Sequence, residues 1–131
     1  MITLRPDGTA HAVRVGVALV DGKPWSSGRP DRLRTRFLRR DPRCTFFVFE
    51  SGFGFLSLEG SVTILDGPDA PLQSVRLFQT MQAGMPQGPP PGHLFWRGKP
   101  LTLEHFRQAM VDERRLIYQL EVERAYGPTM R

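Results

Sequence analysis

The chain contains a single cysteine, Cys44, and only two of its 18 basic residues are lysines. One cysteine cannot form an internal disulfide, which fits a reducing cytoplasm. No apolar run reaches the roughly 18 residues that a membrane helix needs, and residues 1–8 lack the basic and apolar regions of a secretory signal. A length of 131 residues suits one domain, so we expect a single cytoplasmic domain that spans residues 1–131.

Several common catalytic and binding motifs are also absent from the sequence. There is no P-loop, and the glycines at 52 and 54 do not begin a dinucleotide fingerprint, because Ser57 takes the third glycine position inside a predicted strand. The three histidines lack metal-ligand spacing, so we expect no metal site. Apolar strand residues flank Cys44, which indicates a buried small hydrophobe rather than a nucleophile.

The hydrophobic periodicity predicts six strands, at residues 1–5, 13–19, 23–27, 43–50, 53–65 and 115–123. It predicts helices between Pro30 and Pro42, at about 70–82, and after a capping Thr102. In residues 43–50, apolar side chains occupy both odd and even positions, which is typical of a strand buried on both faces. Residues 84–92 are rich in glycine and proline and predict a mobile loop, and the tail from residue 124 predicts coil. Strictly alternating β-α units are missing, so the class is α+β or barrel.

The strongest chemical signal is a cluster of arginines between residues 29 and 43. On a helix, Arg32, Arg36, Arg39 and Arg40 fall within about 100° of one another, whereas Arg34 points elsewhere. Guanidinium groups match phosphate and carboxylate geometry. The cluster therefore indicates a solvated helix face, a cradle for an anionic cofactor, or a nucleic-acid surface. Nucleic acid is the weakest of these, because few aromatic residues interleave with the basic ones.

The order of these segments resembles the pyridoxamine 5'-phosphate oxidase-like split β-barrels, and within them the actinobacterial branch that uses the deazaflavin coenzyme F-420. The resemblance covers nearly the whole chain. Its motifs are Asp7-Gly8-x-x-His11, the box Leu38-Arg-Arg-Asp-Pro42, the strand end Leu58-Glu59-Gly60, and the C-terminal pieces Arg107-Gln-Ala-Met110 and Tyr126-Gly-Pro-Thr-Met-Arg131.

This resemblance implies a mainly β (α+β), six-stranded split β-barrel with short flanking helices, which forms a homodimer with cofactor sites at the interface. It implies an oxidoreductase that transfers hydride from F-420 to an unsaturated small molecule such as an enone, a quinone or a tetrapyrrole. An FMN-dependent oxidase or reductase is the alternative, and a non-catalytic flavin or heme binder is another. No membrane partner is expected.

The same resemblance assigns residues to the cofactor site. Arg32 and Arg34 match a basic pair that holds the phosphate or acidic tail in relatives, and Tyr126 is a weak candidate for the proton donor. The full set of implied cofactor-binding residues is Arg32, Arg34, Thr35, Phe37, Ser26, Ser27, Val15, Gly16, Val17, Gly54, Phe55, Tyr126, Met130 and Arg131.

Three departures from the family pattern stand out. Relatives begin with a helix before the first strand, whereas this sequence begins inside that strand. Phe37 occupies a position where an asparagine is common, which removes a polar contact. The proline-rich segment 84–92 is longer than expected, and we expect it to form a lid on the substrate side.

Overall fold

A computed structural model describes residues 1–49 and 52–128 of the chain. The strands are β1 (Ile2–Leu4), β2 (Ala10–Ala12), β3 (Ala18–Val20), β4 (Lys23–Gly28), β5 (Arg43–Phe49), β6 (Phe55–Leu65), β7 (His93–Trp96), β8 (Lys99–Thr102) and β9 (Leu116–Tyr126). The helices are α1 (Leu33–Arg40), α2 (Ala70–Ala83) and α3 (Leu103–Asp112).

Seven strands of the described chain form one sheet in the order β2-β1-β5-β6-β9-β4-β3. The pairings β1–β2, β1–β5, β3–β4, β4–β9 and β5–β6 are antiparallel. Strands β7 and β8 form a separate antiparallel hairpin. The architecture is therefore mainly β with three helices in the described residues, as predicted, but with more strands than the six expected.

The chain divides into two compact units, each discontinuous in sequence. The first unit comprises Met1–Val15, Asp31–Thr63 and Leu120–Arg131. In it, α1 packs on β1 through its buried residues Thr35 and Leu38. Strands β6 and β9 approach closely at Gly60, where an added Cβ would collide with the carbonyl oxygen of Glu121. A side chain at residue 60 would therefore force these strands apart.

The second unit comprises Gly16–Pro30 and Ile64–Gln119. One buried cluster in it joins Val20, Trp25, Leu77 and Ile117. Another is built on Leu94, Phe106 and Met110. Phe78 and Trp96 meet Phe106 edge-to-face, with ring centroids 5.3 and 5.7 Å from its ring. These aromatic contacts fix the β7–β8 hairpin against α2 and α3 by burial of apolar area.

The boundaries of several elements differ from those predicted. The prediction of one continuous strand at 13–19 is wrong. Strand β2 ends at Ala12 and pairs with β1, β3 begins at Ala18 and pairs with β4, and residues 13–17 connect the two outside any strand. Helix α1 begins at Leu33 rather than near Pro30. The coil predicted from residue 124 is also wrong in part, since β9 continues to Tyr126.

The hairpin of β7 and β8 was not predicted at all. Its turn places Arg97 and Gly98 at φ values of 52° and 81°. The Arg97 guanidinium lies 5.5 Å from the Trp96 ring and 3.1 Å from Glu113. Burial alone would raise the pKa of Glu113, but hydrogen bonds from Trp96, Arg97 and Arg115 outweigh it and lower that pKa. These contacts stabilise a left-handed arginine that local sequence preference would not favour.

Within residues 1–49 and 52–128, no helix is both long and apolar enough to cross a membrane.

Candidate functional site

Two arginines of the cluster, Arg32 and Arg34, lie at the start of α1. Arg32 precedes the helix in an extended conformation, with φ −74° and ψ 142°, and its side chain makes no capping hydrogen bond. No acidic residue occupies the first turn. Because the first N–H groups of a helix carry partial positive charge, an anion placed here is stabilised by both the backbone and the guanidinium groups.

The arginines of this segment face in different directions, as the sequence predicted. Arg32, Arg36 and Arg39 are exposed. Arg34 is half-buried. Burial lowers the pKa of the Met1 amino group, and the positive charge of Arg34 also lowers it. Arg32 and Arg34 thus differ in exposure at the start of the helix.

The arginines at the end of the segment are occupied by protein groups. Arg43 donates to both carboxylate oxygens of Asp41, with a shortest N–O distance of 2.7 Å. These hydrogen bonds lower the pKa of Asp41 to about 2. Arg40 donates to the backbone carbonyl of Leu4 at 3.2 Å. A ligand at Arg43 would have to compete with Asp41, which makes the helix start the better anion site.

Thr35 and Phe37 belong to the packing of α1 rather than to an open surface. Thr35 is fully buried. Phe37 is half-buried, and its ring meets His11 of β2 edge-on, with the centroids 5.3 Å apart. Phe37 is thus in van der Waals contact with the imidazole of His11.

Four of the implied site residues lie in the second unit: Ser26, Ser27, Gly16 and Val17. The structure brings Ser26 and Gly16 together, because the fully buried Ser26 hydroxyl donates to the Gly16 carbonyl oxygen at 2.8 Å. That donor is therefore used within the fold, although the hydroxyl oxygen can still accept a hydrogen bond. Ser27 and Val17 are half-buried.

The remaining described site residues are in the first unit. Val15 is half-buried in the segment after β2. Gly54 and Phe55 lie at the hairpin end of β5 and β6, and the chain after Tyr126 runs directly against them, since a Cβ at Gly127 would overlap the Phe55 carbonyl. The structure thus joins Phe55 to the end of β9. Met130 and Arg131 lie outside the described residues.

A polar pocket of about 210 Å³ on β5, β6 and β9 was not predicted from the sequence. Arg43, Glu59, Glu123 and Arg124 contribute its charged side chains. Arg124 lies 3.5 Å from Glu59, and the Tyr126 hydroxyl donates to the same carboxylate at 3.2 Å. The only sign of this pocket in the sequence is that Glu59 is a carboxylate in the middle of a predicted strand.

The prediction that Cys44 is buried can be compared with the structure. Cys44 is buried, as predicted, and burial raises the pKa of its thiol to about 12. A thiol with this pKa is protonated near neutral pH and is a poor nucleophile. No group of three or more candidate metal-ligating side chains occurs in the part of the chain that the structure describes.

Comparison with known proteins gives no match by sequence but several by structure. No protein-family model matches the chain, and no curated protein does. A conserved hypothetical protein from Mycobacterium tuberculosis superposes with a TM-score of 0.65 at 21% identity, over 96% of this chain and 72% of that protein. A protein of unknown function from Agrobacterium tumefaciens superposes with a TM-score of 0.65 at 19% identity. The superposition covers 96% of this chain but only about half (48%) of that protein.

Two further solved structures have informative names. An F-420 reductase superposes with a TM-score of 0.62 at 16% identity, over 95% of this chain and 85% of that protein. A putative pyridoxamine 5'-phosphate oxidase from Listeria innocua superposes with a TM-score of 0.62 at 11% identity, over 97% of this chain and 84% of that protein. The chain therefore has the fold of these two proteins, which confirms at the level of the fold the resemblance inferred from its sequence.

Proposed function

We propose that the chain is an oxidoreductase that binds coenzyme F-420 and reduces an unsaturated small molecule. The observation that carries this proposal is the start of α1, where Arg32 and Arg34 lie at the first turn and no acidic residue occupies that turn. The anionic tail of a deazaflavin fits this site, because two guanidinium groups and the helix N-terminus all favour negative charge. Structures with the same fold include an F-420 reductase, which supports this choice of cofactor.

The residues of the chain have defined tasks in this proposal. Arg32 and Arg34 bind and orient the acidic part of the cofactor. Gly54 and Phe55 supply an apolar wall for the ring system and keep water away from it. The bound cofactor supplies the hydride. Tyr126 holds its proton toward Glu59 at 3.2 Å, and as a hydroxyl it can pass that proton to a reduced substrate.

The oligomeric state is part of the same proposal, because the β5–β6 hairpin exposes three aromatic rings. Phe47, Phe49 and Phe53 are 45%, 66% and 99% exposed. Phe47 stacks on Phe55, with the ring centroids 5.1 Å apart. Contiguous exposed aromatic surface is uncommon in monomers and is enriched at protein interfaces. We assign this surface to a second copy of the chain, which would place Phe55 of each protomer at the interface.

A titration with F-420 and with FMN tests the cofactor assignment. The wild type is compared with an Arg32→Ala/Arg34→Ala variant and with a matched control, Arg36→Ala/Arg39→Ala, which removes two exposed arginines from the same helix. Each charge-assisted contact removed should cost about 1.5–3 kcal/mol, or roughly 10- to 150-fold in the dissociation constant. The control should lose much less, because its arginines lie beyond the helix start.

The outcomes separate the candidate functions. Equal losses in both double variants would show that binding depends on overall charge, and unchanged affinity in Arg32→Ala/Arg34→Ala would refute the site. Preferential binding of FMN would favour the FMN-dependent alternative. Tight binding of F-420 without turnover of any enone, quinone or tetrapyrrole would favour a non-catalytic carrier.

Sedimentation measurements test the dimer. Phe49→Ser/Phe53→Ser should shift the protein to a monomer, because it removes the two most exposed rings of the hairpin. The control is Leu72→Ser on α2, which removes an apolar side chain of similar exposure, 60%, from a different element. A wild type that sediments as a monomer at all concentrations would contradict the assignment.

A further inference from the structure

A second pocket lies at the C-terminal end of α2, entirely within the second unit. Its volume is about 360 Å³, within the roughly 300–1,000 Å³ range of small-molecule sites. The lining includes Gln79 and Ala83 of the helix, Met85, the segment 88–92 and His93. None of the lining side chains is an acid, a lysine or an arginine. The pocket therefore favours an uncharged ligand, unlike the arginine site on α1.

The wall formed by the proline-rich segment is held in place by hydrogen bonds. The backbone N–H of His93 donates to the Pro90 carbonyl at 3.1 Å, and that of Leu103 donates to the Gly92 carbonyl at 3.3 Å. Three consecutive prolines, Pro89 to Pro91, have a fixed φ and lose little entropy on ordering. These hydrogen bonds and the fixed proline φ angles give the pocket a defined wall at Pro89 to Gly92.

The pocket combines apolar walls with a histidine that can accept a hydrogen bond. The proline rings and the Met85 thioether are surfaces on which aromatic rings pack favourably. His93 Nδ1 lies 2.9 Å from the Pro91 carbonyl oxygen. Because a carbonyl can only accept, Nδ1 carries the proton of the neutral imidazole, and Nε2 is left as an acceptor.

From these features we propose that this pocket binds an uncharged aromatic ring bearing a hydroxyl group, a ligand of the phenol class. The ring packs between the prolines and Met85, and the hydroxyl donates to His93 Nε2. None of the residues that line this pocket is among those proposed to bind the cofactor, and the proposal does not depend on that site.

The test is an NMR titration of the ¹⁵N-labelled protein with two probes, 2-naphthol and its methyl ether. Amide shifts should concentrate in residues 79–94. The naphthol should bind about tenfold more tightly than the ether, because the ether has no donor for the imidazole and a hydrogen bond contributes about 1.4 kcal/mol. In His93→Phe this preference should fall below about twofold, while the ether binds as it does to the wild type. Saturating F-420 or FMN should not compete.

A blocking variant localises the site independently. Ala83→Leu places a larger side chain in the pocket and should weaken both probes at least about tenfold. Thr80→Leu is the matched control, because Thr80 is exposed on the same helix and does not line the pocket. Shifts outside 79–94, an undiminished preference in His93→Phe, or wild-type binding by Ala83→Leu would each overturn the proposal.

Discussion

The Gln82 side chain provides a sharp test of how the β7–β8 hairpin is attached to α2. Its amide donates to the Phe95 carbonyl oxygen at 2.9 Å and accepts from the Phe95 N–H at 2.8 Å. Gln82 is only 9% exposed. The substitution Gln82→Met keeps the length of the side chain but removes both hydrogen bonds, and it leaves the two backbone groups of Phe95 to find other partners.

The magnitude follows from these two bonds. Each lost bond costs about 0.5–1.5 kcal/mol net, and a backbone group left without a partner and away from water adds about 1–3 kcal/mol. Phe95 is half-buried, so water can reach part of the gap and the total should be about 2–4 kcal/mol. With an unfolding entropy of about 2.1 cal/mol/K per residue, a chain of 131 residues should lose roughly 7–14 °C in Tm.

Urea unfolding followed by circular dichroism measures this loss, with Trp96 fluorescence as a local reporter of the hairpin. Gln79→Met is the control, since it makes the same chemical change three residues earlier at an exposed position of α2. The control should stay within about 0.5 kcal/mol of the wild type. If the two variants were equally stable, the two hydrogen bonds between Gln82 and Phe95 would contribute nothing to stability, which would refute the prediction.

Three further predictions concern individual groups. Cys44 should not react with a thiol reagent at pH 8 until the protein unfolds, because its pKa is raised to about 12; rapid labelling of the native protein would contradict its burial. The Asp41 carboxyl should titrate near pH 2, so its ion pair stabilises the fold above the ordinary pKa of 3.8 and is lost as the pH falls through about 2. In Arg43→Gln the NMR titration midpoint should rise toward 3.8, and an unmoved midpoint would exclude Arg43 as the cause. Gly28→Ala should destabilise by about 1–3 kcal/mol in urea because an added Cβ overlaps a buried tyrosine of β9, whereas Gly67→Ala, in open space, should not.

Elements with strong local signals were predictable from sequence. Helix α2 runs from Ala70 to Ala83 with Gly84 after it, close to the predicted 70–82. Thr102 caps α3 by accepting from the His105 N–H at 3.2 Å, as expected. The Asp21-Gly22 turn also forms where it was predicted, with both residues at positive φ. In each case, the residues that decide the structure lie within a few positions of one another.

Elements that depend on distant partners were not predictable. The turn at Arg97 has no asparagine or aspartate, and its arginine keeps a left-handed φ beside Trp96 and Glu113. The apolar pattern of β5 predicted burial on both sides, yet in the single chain Phe47 and Phe49 are exposed. That pattern records an apolar surface, but periodicity alone does not say what covers it.

The sequence by itself determined the position of the positive charge, since the arginines between residues 29 and 43 stay together whatever the fold, and it determined most helix and turn positions. Only the tertiary structure decided which of those charges are available. Asp41 takes Arg43. The Gly16 carbonyl takes the hydroxyl of Ser26 across ten positions, and Tyr126 reaches Glu59 across 67. The physical reason is that a hydrogen bond depends on distance and angle in space, and strand pairing sets these for residues that the sequence keeps far apart.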